Sequence, residues 1–358
     1  MHDDIDCRNL DRFPKSNGKW EMQRPPLKKI TVGSEKILKA IKKWYVFDPL
    51  LVTIPESTKF LPPICISSIA KDVHKSLMGR QKASVLLLVF LLFAFLTSAL
   101  FFPLGLKRVK VIILLFSAVC YVLFDTYIVQ NKIENVVERA IFTNWIFTRK
   151  NILLALFIGV MLVSGVVQYF AQQESGGFDS LIINYGVYFK AVESGERWRY
   201  LIGPFIHINA IHWIGNFFMG IVAAGIAGAL GKKTLFFQFL IIAALSIVAA
   251  QYTPFGMRPD AIAGVSGGIF GLFGWSVGYS FKCRKMLPEN FWTSLLLFSL
   301  INVVFSMISS GSTNQTTHIV GFLLGIVSGF IGVGGANFRS DAKPGGKMGL
   351  PISLTTVN

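Results

Sequence analysis

The stretch GVSGGIFGLFGWSVGYS, Gly264 to Ser280, is apolar enough to lie in a membrane, yet Ser266 stands among glycines at its start. As an α-helix, residues 266–281 would be about 24 Å long, which is short of the roughly 30 Å hydrocarbon core of a bilayer. We therefore expect Ser266 to begin a helix below the membrane surface. Non-helical backbone is tolerated at that depth only where it is buried in protein or lines a water-filled cavity.

The rest of the chain is also apolar. Its mean hydropathy is +0.55, and charged residues make up only 15% of the 358 residues. This composition is typical of a membrane protein. Apolar runs long enough to cross a bilayer predict about eight spans, at 84–102, 109–129, 151–171, 205–230, 234–251, 266–281, 292–309 and 317–335. The sequence therefore predicts an all-α polytopic membrane protein.

The N-terminal region, residues 1–83, is basic. The chain carries a net charge of +16, and nearly half of its Lys and Arg precede residue 83. Such a segment is either attracted to anionic lipid or is simply a solvated charged surface, and the sequence leaves both open. Its prolines allow only short elements, so we expect partial order. The first residues lack a secretory signal pattern, so we expect the first span to act as a signal anchor.

The distribution of Lys and Arg predicts a cytoplasmic N-terminus, because most loops on that side are richer in positive charge. Lys107, Arg108 and Lys110 are an exception, since this topology places them outside. The predicted parts are a two-span hairpin at 84–129, a cytoplasmic linker at 130–150, a domain of six spans at 151–335 and a cytoplasmic tail at 336–358. The protein would be multi-pass, in the plasma (inner) membrane if the host is bacterial. In this setting the basic charge does not indicate nucleic acid.

Polar side chains converge at the predicted outer membrane edge. His207, His212 and His318 lie in or beside spans at the same depth as Ser266. His212 and Asn216, in HINAIHWIGN, are four residues apart and would project from one helix face, whereas His207 would point away. A histidine and an amide on one face can stabilise a developing oxyanion, although they can also simply hydrogen-bond neighbouring helices.

Two glycine stripes predict a close helix pair. One comprises Gly267, Gly271, Gly274 and Gly278, and the other, in HIVGFLLGIVSG, comprises Gly321, Gly325 and Gly329. Small residues three or four positions apart on one helix face allow two helices to approach closely. If these faces meet, His318 comes near Ser266, within reach of a general base.

These motifs together resemble the rhomboid family of intramembrane serine proteases. GVSG, HIVGFLLG, HINAIHWIGN and the preceding ERWRY occur in the family's order over about 151–335. The resemblance implies a six-helix rhomboid-like core, here preceded by two additional spans and the basic region. It also implies cleavage of membrane-anchored proteins near the outer face, without a metal or organic cofactor.

The resemblance also implies roles for individual residues. Ser266 would be the nucleophile and His318 the general base, while His212, Asn216 and the Ser266 N–H would form the oxyanion hole.

His207 would be a structural histidine near the top of its helix. Gly264 and Gly267 would shape the serine turn, and Trp198 and Arg199 would hold the large first loop. The 310–316 loop and the span before it would gate substrate entry. Phe270 occupies a position where some members have a tyrosine, so it keeps the surface that stacks on His318 and loses the hydroxyl.

Other classes fit less well. A metalloprotease would require HExxH, which is missing, and His207 and His212 are five residues apart. An aspartyl protease needs two membrane aspartates, and Asp125, near an inner helix end, is explained by snorkelling. A transporter should carry more polar residues near the midplane, where Asn302 is the clearest. An inactive rhomboid-like protein that escorts transmembrane helices is the remaining alternative.

Overall fold

The computed structural model describes residues 20–25, 27–53, 60–101, 106–231, 233–252, 260–309 and 315–332. These residues are mostly helical, which confirms the predicted all-α class. Four helical stretches are long and apolar enough to cross a membrane, Ile69–Ser98, Val109–Val129, Ile152–Ser175 and Ala210–Leu230, and three shorter helices are also apolar, Leu235–Gln251, Phe291–Ser306 and Gln315–Ile331. The chain is a multi-pass integral membrane protein. The predicted tail at 336–358 lies outside the described residues.

The described residues form two compact units, 20–149 with 285–291, and 150–284 with 292–332. The first unit opens with a small antiparallel sheet in the order β2-β1-β3, formed by β1 (Trp20–Gln23), β2 (Ile30–Val32) and β3 (Leu51–Thr53). Helix α1, Ser34–Lys42, follows β2. Five large apolar side chains of this segment are fully buried, namely Trp20, Ile37, Ile41, Trp44 and Leu50. The elements are short, but they enclose a packed core.

Helix α2, Ser67–Phe101, begins well before the predicted start of the first span at residue 84. The prolines of the N-terminal region end at Pro63, so no proline interrupts the charged residues that follow. These residues form the first turns of the helix, and hydropathy alone does not detect them. Helix α3, Leu106–Leu123, follows and continues as a π-helix to Val129. The turn predicted at Pro103 and Gly105 lies outside the described residues.

The segment predicted as a linker at 130–150 contains helix α4, Ile133–Thr148, most of which is buried. Its Arg139 forms a buried ion pair with Asp125, with 2.6 Å between Nη1 and Oδ1. The Gln130 side chain also donates to Asp125. The snorkelling interpretation of Asp125 is therefore wrong, because a buried cation partner compensates for the loss of water around the carboxylate.

The second unit contains six long helices among its described residues: α5 (Ile152–Ser175), α9 (Ala210–Leu230), α10 (Leu235–Gln251), α11 (Ser266–Lys282), α12 (Phe291–Ser309) and α13 (Gln315–Ile331). Helix α11 packs most extensively against α13 and also contacts α9 and α10, while α5 packs against α9. Helix α11 is thus the central element of the unit.

The long segment at 172–204 is built from short elements: α6 (Phe178–Tyr185), β4 (Val187–Tyr188), α7 (Phe189–Glu193) and α8 (Arg199–Ile202). Strand β4 pairs antiparallel with β5 (Ala261–Ile262), which lies just before Gly264. Val187 and Ile262 belong to one buried apolar cluster with Phe189 and Ile247. This pairing fixes the long segment beside the turn that leads into α11.

Candidate active site

The turn before α11 requires glycine at position 264. Gly264 has φ of +107°, a conformation that L side chains rarely adopt. A Cβ at this position would also lie only 2.7 Å from Cε1 of His212. Val265 follows as the N-cap, and Ser266 is the first residue of the helix. The turn therefore presents a half-buried Ser266 at a helix start, close to α9.

Ser266 is hydrogen-bonded to His318. The distance between Ser266 Oγ and His318 Nε2 is 2.7 Å, and His318 is 3% exposed. The two side chains come from the first turns of α11 and α13. The sequence predicted this approach from the glycine stripes, and the structure places the two residues together.

The two glycine stripes face each other, and each leaves room for the backbone of the other helix. A Cβ at Gly321 would overlap the carbonyl oxygen of Gly267, and one at Gly325 would overlap that of Gly271. The contact is reciprocal, because Cβ atoms at Gly274 and Gly278 would overlap the carbonyl oxygens of Phe322 and Ile326. Close backbone contact thus aligns α11 with α13 and sets the distance between their first turns.

The His318 ring is held on one face and at its second nitrogen. Phe270 lies against the ring, with centroids 4.5 Å apart and planes inclined by 31°. The His318 Nδ1 atom lies 3.0 Å from the hydroxyl oxygen of Ser306 on α12. Ser306 was not among the residues predicted for the site. The only indication in the sequence is a hydroxyl within an apolar span.

His212 and Asn216 lie on α9, four residues apart, and both approach the serine turn. A Cβ at Gly264 would be 3.2 Å from His212 Nε2 and 3.3 Å from Asn216 Nδ2. Among the described residues, the buried Asn216 Nδ2 and His212 Nδ1 have no hydrogen-bond partner. Buried polar atoms normally have one, so an amide donor without a partner beside Ser266 is available to a bound group.

The prediction that His207 points away from His212 is wrong. Residues 203–205 form a 3₁₀ turn, and α9 begins only after Asn209, whose side chain caps it by accepting from the His212 N–H at 2.8 Å. The fully buried His207 ring therefore lies in the connection before the helix, with its centroid 5.5 Å from that of His212.

Gln168 on α5 fixes the backbone of His207 from both sides. Its amide nitrogen donates to the His207 carbonyl at 2.8 Å, and its amide oxygen accepts from the His207 N–H at 2.9 Å. Gln168 was also missed, although an amide within a predicted apolar span was a visible candidate. The pair connects α5 to the start of α9.

Arg199 is a buried anchor of the 172–204 segment. Its guanidinium donates to the carbonyl oxygens of Ile183 and Gly186, at 3.0 and 2.8 Å, and forms an ion pair with Glu196 at 2.7 Å. It also lies over the ring of the exposed Trp198, 4.9 Å from the centroid. The predicted Trp-Arg pair is thus in contact, and the arginine ties the end of α6 to α8.

The fold and the site define a class of protein. It is a multi-pass helical membrane protein with a serine–histidine pair at the start of two glycine-packed helices, next to a histidine and an asparagine on a third helix.

Comparison with known proteins agrees with this class. A family model described as the rhomboid domain matches residues 194–335. The chain is also 23% identical over 210 residues to the rhomboid protease GluP of Bacillus subtilis (strain 168), a match that covers 58% of this chain and 38% of that relative. Residues 194–335 are therefore similar to the rhomboid domain. It spans well under half the length of that relative.

Proposed function

We propose that the protein is a serine endopeptidase that cuts membrane-anchored proteins in or near their transmembrane segments. The observation that carries this proposal is the 2.7 Å hydrogen bond between Ser266 Oγ and His318 Nε2. A serine hydroxyl is a weak nucleophile unless an adjacent base takes its proton. The rhomboid domain supports the same activity at the level of the family.

In the proposed reaction, His318 Nε2 accepts the proton of Ser266 as Oγ bonds to the carbonyl carbon of the substrate. The tetrahedral intermediate then breaks its carbon–nitrogen bond, and the leaving amine takes the proton from Nε2. A water molecule, deprotonated by the same nitrogen, attacks the acyl-enzyme and releases Ser266. No metal or organic cofactor enters these steps.

The oxyanion hole in this proposal consists of His212, Asn216 and the backbone N–H of Ser266. The unpartnered Asn216 amide beside Gly264 supports the assignment. Donors already oriented toward a developing negative charge stabilise the transition state more than the ground state. The N–H at the start of α11 contributes further, because helix starts favour anions.

The proposed substrates are single-span or polytopic membrane proteins that approach through the bilayer, with the active site toward its outer face. The segment must unwind locally before a peptide carbonyl can reach Ser266. The loop proposed as the entry gate includes 310–314, which lies outside the described residues. Nucleic acid has no part in this function.

The test is cleavage of a generic single-span substrate in liposomes, comparing the native protein with Ser266→Ala and His318→Ala, each with and without EDTA. We expect no cutting by Ser266→Ala, a loss of roughly 10²- to 10⁴-fold for His318→Ala, and no effect of EDTA. Ser276→Ala is the matched control, because Ser276 is a fully buried serine on the same helix and, among the described residues, its hydroxyl bonds only the carbonyl of Leu272.

Two results would contradict the proposal. Equal cutting by the native protein and Ser266→Ala would exclude this serine as the nucleophile. Binding of the substrate helix without any cutting would instead indicate the inactive escort function.

A further inference from the structure

Ser306 places a hydroxyl at the nitrogen of His318 that does not face Ser266. It lies on α12 and is 9% exposed, and its Oγ is 3.0 Å from His318 Nδ1. In the described part of the chain, His318 has two side-chain hydrogen bonds, to Ser266 and to Ser306. The hydroxyl thus occupies the place at which a third catalytic group would orient a histidine.

We propose that Ser306 is a positioning residue that holds His318 in the tautomer able to accept the proton of Ser266. This inference rests on the proposed protease function. A neutral imidazole carries its proton on one nitrogen only. For Nε2 to act as a base toward Ser266, the proton must be on Nδ1, and Nδ1–H then needs an acceptor.

The surroundings of Ser306 make it that acceptor. Its Oγ lies 2.7 Å from the Val303 carbonyl oxygen and 3.3 Å from the amide oxygen of Gln315, and neither oxygen can donate. A hydroxyl has a single proton, and a carbonyl neighbour takes it. With that proton donated to a carbonyl oxygen, the lone pairs of Ser306 Oγ face His318, and Nδ1 is the donor.

The orientation of the Gln315 amide supports this assignment. Its nitrogen donates to the Ser306 backbone carbonyl at 3.1 Å, so its oxygen is the atom turned toward the Ser306 hydroxyl. Gln315 is the first residue of α13, and His318 is one turn further on. The start of α13 and the end of α12 are therefore joined through the atoms that orient the histidine.

The hydrogen bond between His318 Nδ1 and Ser306 Oγ becomes stronger during the reaction. When Nε2 takes the proton of Ser266, the ring becomes a cation, and hydrogen bonds to charged groups are stronger than those between neutral groups. Loss of the Ser306 hydroxyl should therefore lower kcat and leave KM nearly unchanged, because Ser306 is buried and contacts the nitrogen of His318 that does not face Ser266.

The experiment measures kcat and KM for the full chain in liposomes with Ser306→Ala, Ser306→Thr and Ser299→Ala. Ser299 is the matched control, since it is fully buried on α12 two turns earlier and its hydroxyl bonds only the Leu295 carbonyl within the described part of the chain. We expect Ser306→Ala to lose roughly 10- to 100-fold in kcat with KM unchanged. Ser306→Thr, which keeps the hydroxyl, should recover most of the activity, and Ser299→Ala should equal the native protein.

A second measurement does not depend on activity. In protein labelled with ¹⁵N-histidine, the His318 signals, identified by their loss in His318→Ala, should show protonated Nδ1 and unprotonated Nε2. Ser306→Ala should shift part of the population to the other tautomer. This measurement separates the positioning proposal from the protease proposal. If the native protein does not cut, but shows protonated Nδ1 and the shift in Ser306→Ala, the protease proposal fails and the positioning of His318 by Ser306 stands.

Three outcomes would overturn the positioning function. These are kcat within about twofold of native for Ser306→Ala, loss of activity that Ser306→Thr does not recover, and an Nε2–H tautomer in the native protein. The last of these is measured on the native protein, and His318→Ala serves only to assign its signals.

Discussion

Among the described residues, no carboxylate is hydrogen-bonded to His318 to orient it toward Ser266. Close packing of backbone atoms aligns the two residues instead. Gly264 turns the chain into α11, and Gly321 lets α13 approach the carbonyl of Gly267. Because these contacts are made by backbone atoms, they leave little freedom in the distance between the two helices. At the residue scale the geometry is then completed by Phe270 on the ring face and Ser306 at Nδ1.

Phe270→Leu should lower kcat by roughly 2- to 10-fold, because it keeps apolar volume but removes the ring that contacts His318. Phe270→Tyr, which keeps the ring, should remain close to native. The measurement is kcat in liposomes together with the thermal unfolding midpoint in detergent. Full activity of the Leu variant at an unchanged midpoint would show that the ring contact does not contribute to orientation.

The residues of the site differ in how far the sequence revealed them. Ser266, Gly264 and His318 were predictable, because a serine among glycines and a histidine above a glycine stripe are unusual in apolar spans. Ser306 and Gln168 were not identified. A lone hydroxyl or amide in a span most often bonds its own helix. Ser306 also bonds His318, 12 positions away in sequence, and Gln168 bonds His207, 39 positions away.

At the scale of elements, the glycine stripes predicted the pairing of α11 with α13, since the spacing of small residues reports directly on close backbone approach. The start of α9 was predicted too early. Pro204 lies in a 3₁₀ turn and Asn209 caps the helix, so His207 precedes it. Apolar composition cannot detect this break, because the residues on both sides of it are apolar.

Helix α4 was not predicted as a packed helix. Its polar and charged residues suggested a linker, whereas the structure shows a mostly buried helix whose Arg139 pairs with Asp125. The cytoplasmic location of this segment stays a prediction. Sequence reasoning treats a charge as exposed unless its partner is known, and here the partner is 14 positions away, on a different element. Buried ion pairs between elements are thus a general source of such errors.

Gly325→Ala should destabilise the second unit by about 1–3 kcal/mol, because its Cβ would overlap the Gly271 carbonyl and force the two helices apart. Gly225→Ala on α9 is the matched control, since a Cβ there has no neighbour within 4 Å. It should be neutral or slightly stabilising. The measurement is denaturant unfolding in detergent, and equal stability of the two variants would contradict the packing described for α11 and α13.

At the scale of the whole molecule, the distribution of positive charge predicts which loops face the cytoplasm. The basic N-terminal region and Arg284 with Lys285 would lie inside, and the 172–204 segment outside. This orientation determines on which side of the membrane Ser266 meets its substrate, so it links the charge pattern to the proposed function.

Labelling of one introduced and one native cysteine in sealed cells tests that orientation. Ser194 is exposed in the 172–204 segment, and the half-buried Cys283 lies beside Arg284. With the remaining cysteines replaced, a membrane-impermeant maleimide should label Ser194→Cys directly and Cys283 only after permeabilisation. The reverse pattern would place the active site on the inner side.

The central claim is that Ser266 is a nucleophile activated by His318, and a fluorophosphonate probe tests it most directly. The serine oxygen would bond to phosphorus, fluoride would leave, and His318 would take the proton. Mass spectrometry of the digested protein should find the adduct on Ser266, formed at least about 100-fold more slowly in His318→Ala and at the native rate in Ser276→Ala. An unmodified Ser266 in protein that cuts its substrate, or an adduct on another residue, would contradict the account.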